Sequence, residues 1–127
     1  MASSELFVGS VNTRSTTIFT ANAMLDGTGP MAELFVAGYN GSKVDKILVK
    51  ALASTSSGVI SIFMSDGSDI RLVTQSTVDP VLPSTISTTF EAVITTSDIF
   101  TIPAGWSLLV STTKNEYFTV TAFGWDY

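Results

Sequence analysis

The sequence predicts an all-β domain, an antiparallel sandwich or barrel of about eight strands, on three observations. Turn-forming residues recur at short intervals: "LDGTGP" at 25–30, "YNGS" at 39–42, "STSSG" at 54–58, "SDGSD" at 65–69, "VDPVLP" at 78–83, "IPAG" at 102–105 and "TKNE" at 113–116. The segments between them have strand length, and regular spacing of short strands belongs to sandwiches and barrels. The 127 residues include 17 Ser and 18 Thr, and Thr, Val and Ile are the β-branched residues that favour pleated backbone over helix.

Strands are expected near 16–21, 32–38, 43–53, 58–65, 69–75, 87–95, 106–112 and 117–124. The first fifteen residues are polar apart from Leu6, Phe7, Val8 and Val11. They read as an N-terminal arm (1–15), with an edge strand near 5–11, ahead of a β-sandwich domain over 16–127. "GVISIFMSDGSDIRLV" reads as a hairpin across Asp66 and Gly67. It places Ile60, Ile62 and Met64 on one face and Val59, Ser61 and Phe63 on the other, so alternation alone leaves its buried face open.

The segment "KVDKILVKALA" carries two patterns. Val44, Ile47, Leu48, Ala51 and Leu52 form a helical stripe with Ser42 as N-cap, whereas a strand turns Ile47, Val49, Ala51 and Ala53 inward and Leu48 and Leu52 outward. A lone helix of this length is marginal and inconsistent with its neighbours, so strand is the expectation. In the last strand Phe118, Val120 and Ala122 share one face and Tyr117, Thr119, Thr121 and Phe123 the other. The chain then ends "AFGWDY". A regular strand puts Phe123, Trp125 and Tyr127 on the outward row; a break at Gly124 instead folds Trp125 over an open end of the core.

One domain of this size holds a real core. A net charge of -5 with six basic residues argues against nucleic acid as a partner, since phosphate neutralisation needs many cations. No run of 18 apolar residues and no basic, apolar leader is visible, which leads us to expect neither membrane insertion nor secretion, and folding in the cytoplasm of the producing cell.

Without His or Cys the chain lacks the usual general base, the Ser-His-Asp arrangement and thiol chemistry. Its acids fall mostly in turns, where Asp accepts main-chain hydrogen bonds. "DGSD" at 66–69 lacks the spacing of an EF-hand loop, and "DGTGP" lacks the lysine and helix of a phosphate loop. "NGS" at 40–42 fits a glycosylation sequon but reads as a turn. Trp106 alternates with Leu108 and Val110 and is expected in the core, although Trp106, Tyr117 and Trp125 are also the aromatic platforms a lectin would use. No catalytic residue, metal site or cofactor is expected.

"AGYNGSKVDKILVKALASTSSGVISIFMSDGSDIRLV" and "FTIPAGWSLLVSTTKNEYFTVTAFGWDY" resemble a group of small phage and prophage virion proteins. The matching elements are the Asn40–Ile47 strand, the Asp66-Gly67 hairpin, Pro103–Leu108, and the row Phe118, Val120, Ala122. The resemblance implies a single jelly-roll-like antiparallel β-sandwich, and it supports strand at 43–53. It also implies a non-enzymatic capsid cement or decoration protein on the virion surface, synthesised in the host bacterial cytoplasm and bound to the major capsid protein. A homo-oligomer follows from the same likeness, a trimer ahead of a dimer. Where relatives tend to be polar this chain has Leu48 and Leu52, and "GWDY" with Phe123 before it replaces their usual ending. Leu6, Phe7, Leu48, Leu52, Phe123, Trp125 and Tyr127 are therefore the expected interface residues. The alternative is a receptor- or glycan-binding module of a tail or head fibre, which would use the loops at 25–30 and 78–86.

Overall fold

The computed structural model describes residues 9–95 and 100–127. Nine strands run β1 (Ser10–Ile18), β2 (Ala32–Val36), β3 (Ser42–Ala51), β4 (Gly58–Ser65), β5 (Ile70–Val78), β6 (Glu91–Ile94), β7 (Phe100–Ile102), β8 (Ser107–Thr112) and β9 (Phe118–Asp126). All pair antiparallel in two sheets, one ordered β1-β9-β3-β6 with β7 also on β3, the other β2-β8-β4-β5. β6 lies along Ile47–Lys50 and β7 along Ser42–Val44, so the two share one edge of β3 and together fill a single strand position. The result is two four-position sheets in jelly-roll order.

Both sheets contribute to one core. Val44, Ile47, Val49, Phe118, Val120 and Ala122 come from the first sheet, and Leu34, Phe35, Ile60, Ile62, Leu108 and Val110 from the second. Each fully buried large side chain is worth roughly 1.5–3 kcal/mol. Trp106 packs partly buried against this cluster, as expected.

The expected separation of an arm from the domain at 15/16 does not coincide with a structural break. β1 runs through that point, with nine consecutive partners from Ser10↔Asp126 to Ile18↔Phe118; positions 5–8 of the edge strand expected near 5–11 lie outside the described residues. An edge strand faces solvent on much of its surface, so its Ser and Thr residues carry no alternation signal. The strand expected at 87–95 is shorter, Glu91–Ile94, and β7 falls between the expected strands at 87–95 and 106–112. Three residues are too few to show a period. β5 in turn reaches three residues further than expected, to Val78.

Segment 43–53 is strand as far as Ala51, and a bulge between Val44 and Lys46 explains its double pattern. The extra residue, Asp45, lets Val44 and Ile47 both point inward at a spacing of three.

The second sheet has a covered outer face. Phe63 pairs with Leu109 while Ile62 pairs with Val110, which puts Phe63 opposite the core, yet it is fully buried. The β1–β2 connection, residues 19–31, crosses this face. Asn22 N–H bonds the Thr112 carbonyl at 2.7 Å, and a Cβ on Gly27 would lie 2.9 Å from Ile70 Cβ. Buried Asn22 organises the crossing. Its Nδ2 donates to the carbonyls of Thr28 (3.0 Å) and Pro30 (2.8 Å), and its Oδ1 accepts from Met24 N–H at 2.9 Å. Both sides of β4 are thus occupied.

Candidate interaction face

Strand parity in the first sheet decides which side chains meet solvent. With Val120 and Ala122 buried, β9 turns Thr119, Thr121, Phe123 and Trp125 outward. Register then aligns four rows across the outer face: Val11, Trp125, Lys43 and Thr101; Thr13, Phe123 and Lys46; Ser15, Thr121, Leu48 and Val93; Thr17, Thr119, Lys50 and Glu91. Ser15 and Thr121 share a hydroxyl hydrogen bond at 3.1 Å, and Lys46 Nζ sits 5.1 Å from the Phe123 ring centroid. At one end of this face Phe19 and Tyr117 stack with centroids 5.0 Å apart. Leu52 is beside them, its N–H bonded to the Tyr117 carbonyl at 3.0 Å.

The chain end is fastened. Gly124 keeps register with Asn12 on one side and Val44 on the other, so it does not break the strand. A Cβ there would lie 2.4 Å from the Lys43 carbonyl oxygen and 3.2 Å from the Phe35 ring, which makes the side-chain-free residue necessary. Asp126 returns to the inward row. Its Oδ1 accepts from Asn12 Nδ2 (2.7 Å) and Ser42 Oγ (2.5 Å), and Ser42 Oγ in turn accepts from Gly38 N–H at 2.7 Å. Arg14 Nε donates to Asn12 Oδ1 at 3.1 Å, and Tyr127 N–H bonds the Gly41 carbonyl at 3.0 Å.

Of the expected interface residues, Leu48, Phe123 and Trp125 share the outer face of the first sheet, and Leu52 extends it at the Tyr117 end. Leu48 and Phe123 are half-buried; Trp125 is 40% and Leu52 54% exposed. Tyr127, 55% exposed, continues the outward row past the end of β9. Leu6 and Phe7 lie outside the described residues. Val11, Val93, Phe19 and Tyr117 belong to the same surface but were not among the expected contacts. Parity with Phe123 identifies Tyr117 from sequence; the others need the register.

Little on the remaining surface converges for chemistry. The Asp66-Gly67 turn closes the β4–β5 hairpin, with Asp66 Oδ1 accepting from Ser68 N–H (2.9 Å) and Asp69 N–H (2.8 Å). Those bonds, that to Asp69 first, and then the Arg71 charge hold its carboxyl below the ordinary aspartate range. Asp26 is likewise lowered, by the Thr28 hydroxyl first and then the Thr28 N–H. Among the described residues no three His, Cys, Asp or Glu side chains gather as a metal site. A cleft of about 170 Å³ lies between Thr17–Thr20, Pro30–Ala32 and Ser111, with no ionisable side chain in its lining. No helix among the described residues is long and apolar enough to cross a membrane. At the β5–β6 connection, Leu82 and Ile86 stand almost fully exposed. Neither a scan against models of protein families nor a search of curated proteins finds a match for this chain.

Proposed function

We propose that this protein is a non-enzymatic structural component of a bacteriophage virion, a capsid cement or decoration subunit that binds the major capsid protein lattice and stabilises the head. One observation carries the reading: among the described residues, an aromatic and aliphatic surface built on Trp125, Phe123, Leu48 and Val93 lies open on one sheet, while the opposite sheet is covered by the chain's own β1–β2 connection. An uncovered apolar face on a rigid sheet fits a docking surface. A jelly roll suits the role because it packs two sheets into a compact scaffold whose unpaired edges are confined to β1, β2, β5 and the β6–β7 side. The resemblance over 32–127 supports the virion assignment. Symmetric assembly into a trimer, or else a dimer, accompanies the proposal.

Copy number tests it. Quantitative mass spectrometry and electron cryomicroscopy of the virion are expected to find hundreds of copies in regular lattice positions, with the outer face of the β1-β9-β3 sheet toward the capsid. A few copies at the tail would overturn the proposal in favour of a receptor- or glycan-binding module, a reading that the exposed Leu82 and Ile86 on the β5–β6 connection support.

A further inference from the structure

Three of the chain's four lysines, Lys43, Lys46 and Lys50, fall within eight residues of β3. All three lie on the outer face, in register with Trp125, Phe123 and Thr119. Two carboxylates accompany them. Lys43 Nζ is 3.6 Å from Asp45 Oδ1 and Lys50 Nζ 3.4 Å from Glu91 Oε1, partly exposed pairs of the kind that add little stability and yield easily to a better partner. Lys46 meets no carboxylate within salt-bridge distance among the described residues and lies over the Phe123 ring. Among the described residues three lysines against two acids leave this face one positive charge, while the other described charges, Arg14, Arg71 and Lys114 against seven acids, come to four net negative ones.

That asymmetry bears on what covers the face. Asp26 and Asp69 line one shallow depression by the β4–β5 hairpin, together with Arg71, which pairs with Asp69 at 3.3 Å, and Asp66 stands in the hairpin turn beside it. A second copy seated by its acidic side on the lysines would repeat the contact from opposite faces of the sandwich, building an open stack rather than a closed oligomer. The face therefore suits a different protein.

Resting on the proposed function above, we infer that the occupant is an acidic, apolar surface of the capsid lattice. Its carboxylates take Lys43, Lys46 and Lys50 while its apolar side chains cover Trp125, Phe123, Leu48 and Val93. Charge complementarity sets orientation and encounter rate, and the rings supply most of the hold.

The test is co-sedimentation of the full chain with heads assembled without it, at 50 and 500 mM NaCl. The higher salt is expected to weaken binding about tenfold, and Lys46→Glu to weaken it about tenfold or more at low salt, with Lys46→Gln intermediate. Lys114→Glu, in the β8–β9 turn, is expected to matter far less. If salt and Lys46→Glu change nothing while Trp125→Ala still abolishes binding, the electrostatic inference is overturned and the head assignment stands. If the wild-type chain binds no heads at either salt, the head assignment fails, and titration with poly-L-glutamate followed by NMR then judges the face. Amide shifts confined to residues 43–50 and 121–125, and lost in Lys46→Glu, sustain an acid-binding face. Shifts elsewhere, or none, overturn it; so does salt-dependent stacking of the protein on itself.

Discussion

The Asp126 carboxylate accepts a hydrogen bond from Ser42 Oγ at 2.5 Å, across 84 residues of chain. With Asn12 on the same oxygen, this joins the starts of β1 and β3 to the end of β9, and through Gly38 N–H it reaches the β2–β3 turn. Ser42 is fully buried, so losing the carboxylate leaves its hydroxyl proton without that acceptor, while its oxygen keeps the Gly38 N–H. Asp126→Ala is expected to cost about 2–3 kcal/mol in urea unfolding, and Asp126→Asn, which keeps an acceptor oxygen, about 1 kcal/mol.

Gly124 lies two residues before that carboxylate, packed directly against Lys43 and Phe35. Its neighbour at 2.4 Å is backbone oxygen, which cannot rotate away. Gly124→Ala should therefore destabilise by about 1–3 kcal/mol through overpacking, measured by thermal unfolding.

Trp125 and Phe123 stand on the outer face and leave the core cluster intact. Trp125→Ala and Phe123→Ser are expected to shift unfolding free energy by less than about 1 kcal/mol, while each weakens head binding by about 2 kcal/mol or more. Loss of folding in both variants would mean that the rings seal the subunit's own edge.

How much was legible in the sequence depends on whether one strand's period was enough. In β9 it was as far as Phe123: alternation from Phe118 to Ala122 gave the outward row, but it left a break at Gly124 open, and register with Asn12 and Val44 carries the row on to Trp125. In β3 the Asp45 bulge mixed a step of three into a period of two, producing the helical stripe that competed with strand. Phe63 was ambiguous for another reason. Its cover is the connection at 19–31, which reads locally as a turn, and nothing in "LDGTGP" says which surface it lies on. The candidate face mixes both cases. Leu48 and Phe123 follow from parity, whereas Trp125, Val11 and Val93 join them only through cross-strand register.

The acid response should come in part from two turns. Hydrogen bonds from Thr28 lower the Asp26 carboxyl, and those from Asp69 and Ser68, with the Arg71 charge, lower Asp66. A carboxyl depressed in the folded state binds protons less readily than in the unfolded chain. Its contribution is thus present above the unfolded pKa and lost as pH falls through the folded one. Stability is expected to hold level down to about pH 5 and to decline below about pH 4. Urea unfolding across that range should show a shallower acid limb in the Asp26→Asn, Asp66→Asn double variant.

The cover over the second sheet hangs on one side chain. Asn22 satisfies two carbonyls and one N–H of its own connection, and Gly29 is held so close that a Cβ would fall 2.5 Å from Asn22 Oδ1. Asn22→Ala removes all three bonds inside a buried site, at a cost of about 1–3 kcal/mol. The strands do not depend on those bonds, so opening should be local. Amide exchange is expected to rise across residues 22–30, and limited proteolysis to cut there first. A dye sensitive to apolar surface should respond as Phe63 and Leu109 become accessible. If exchange instead rises uniformly across both sheets, the connection is part of the global folding unit and not a separable cover.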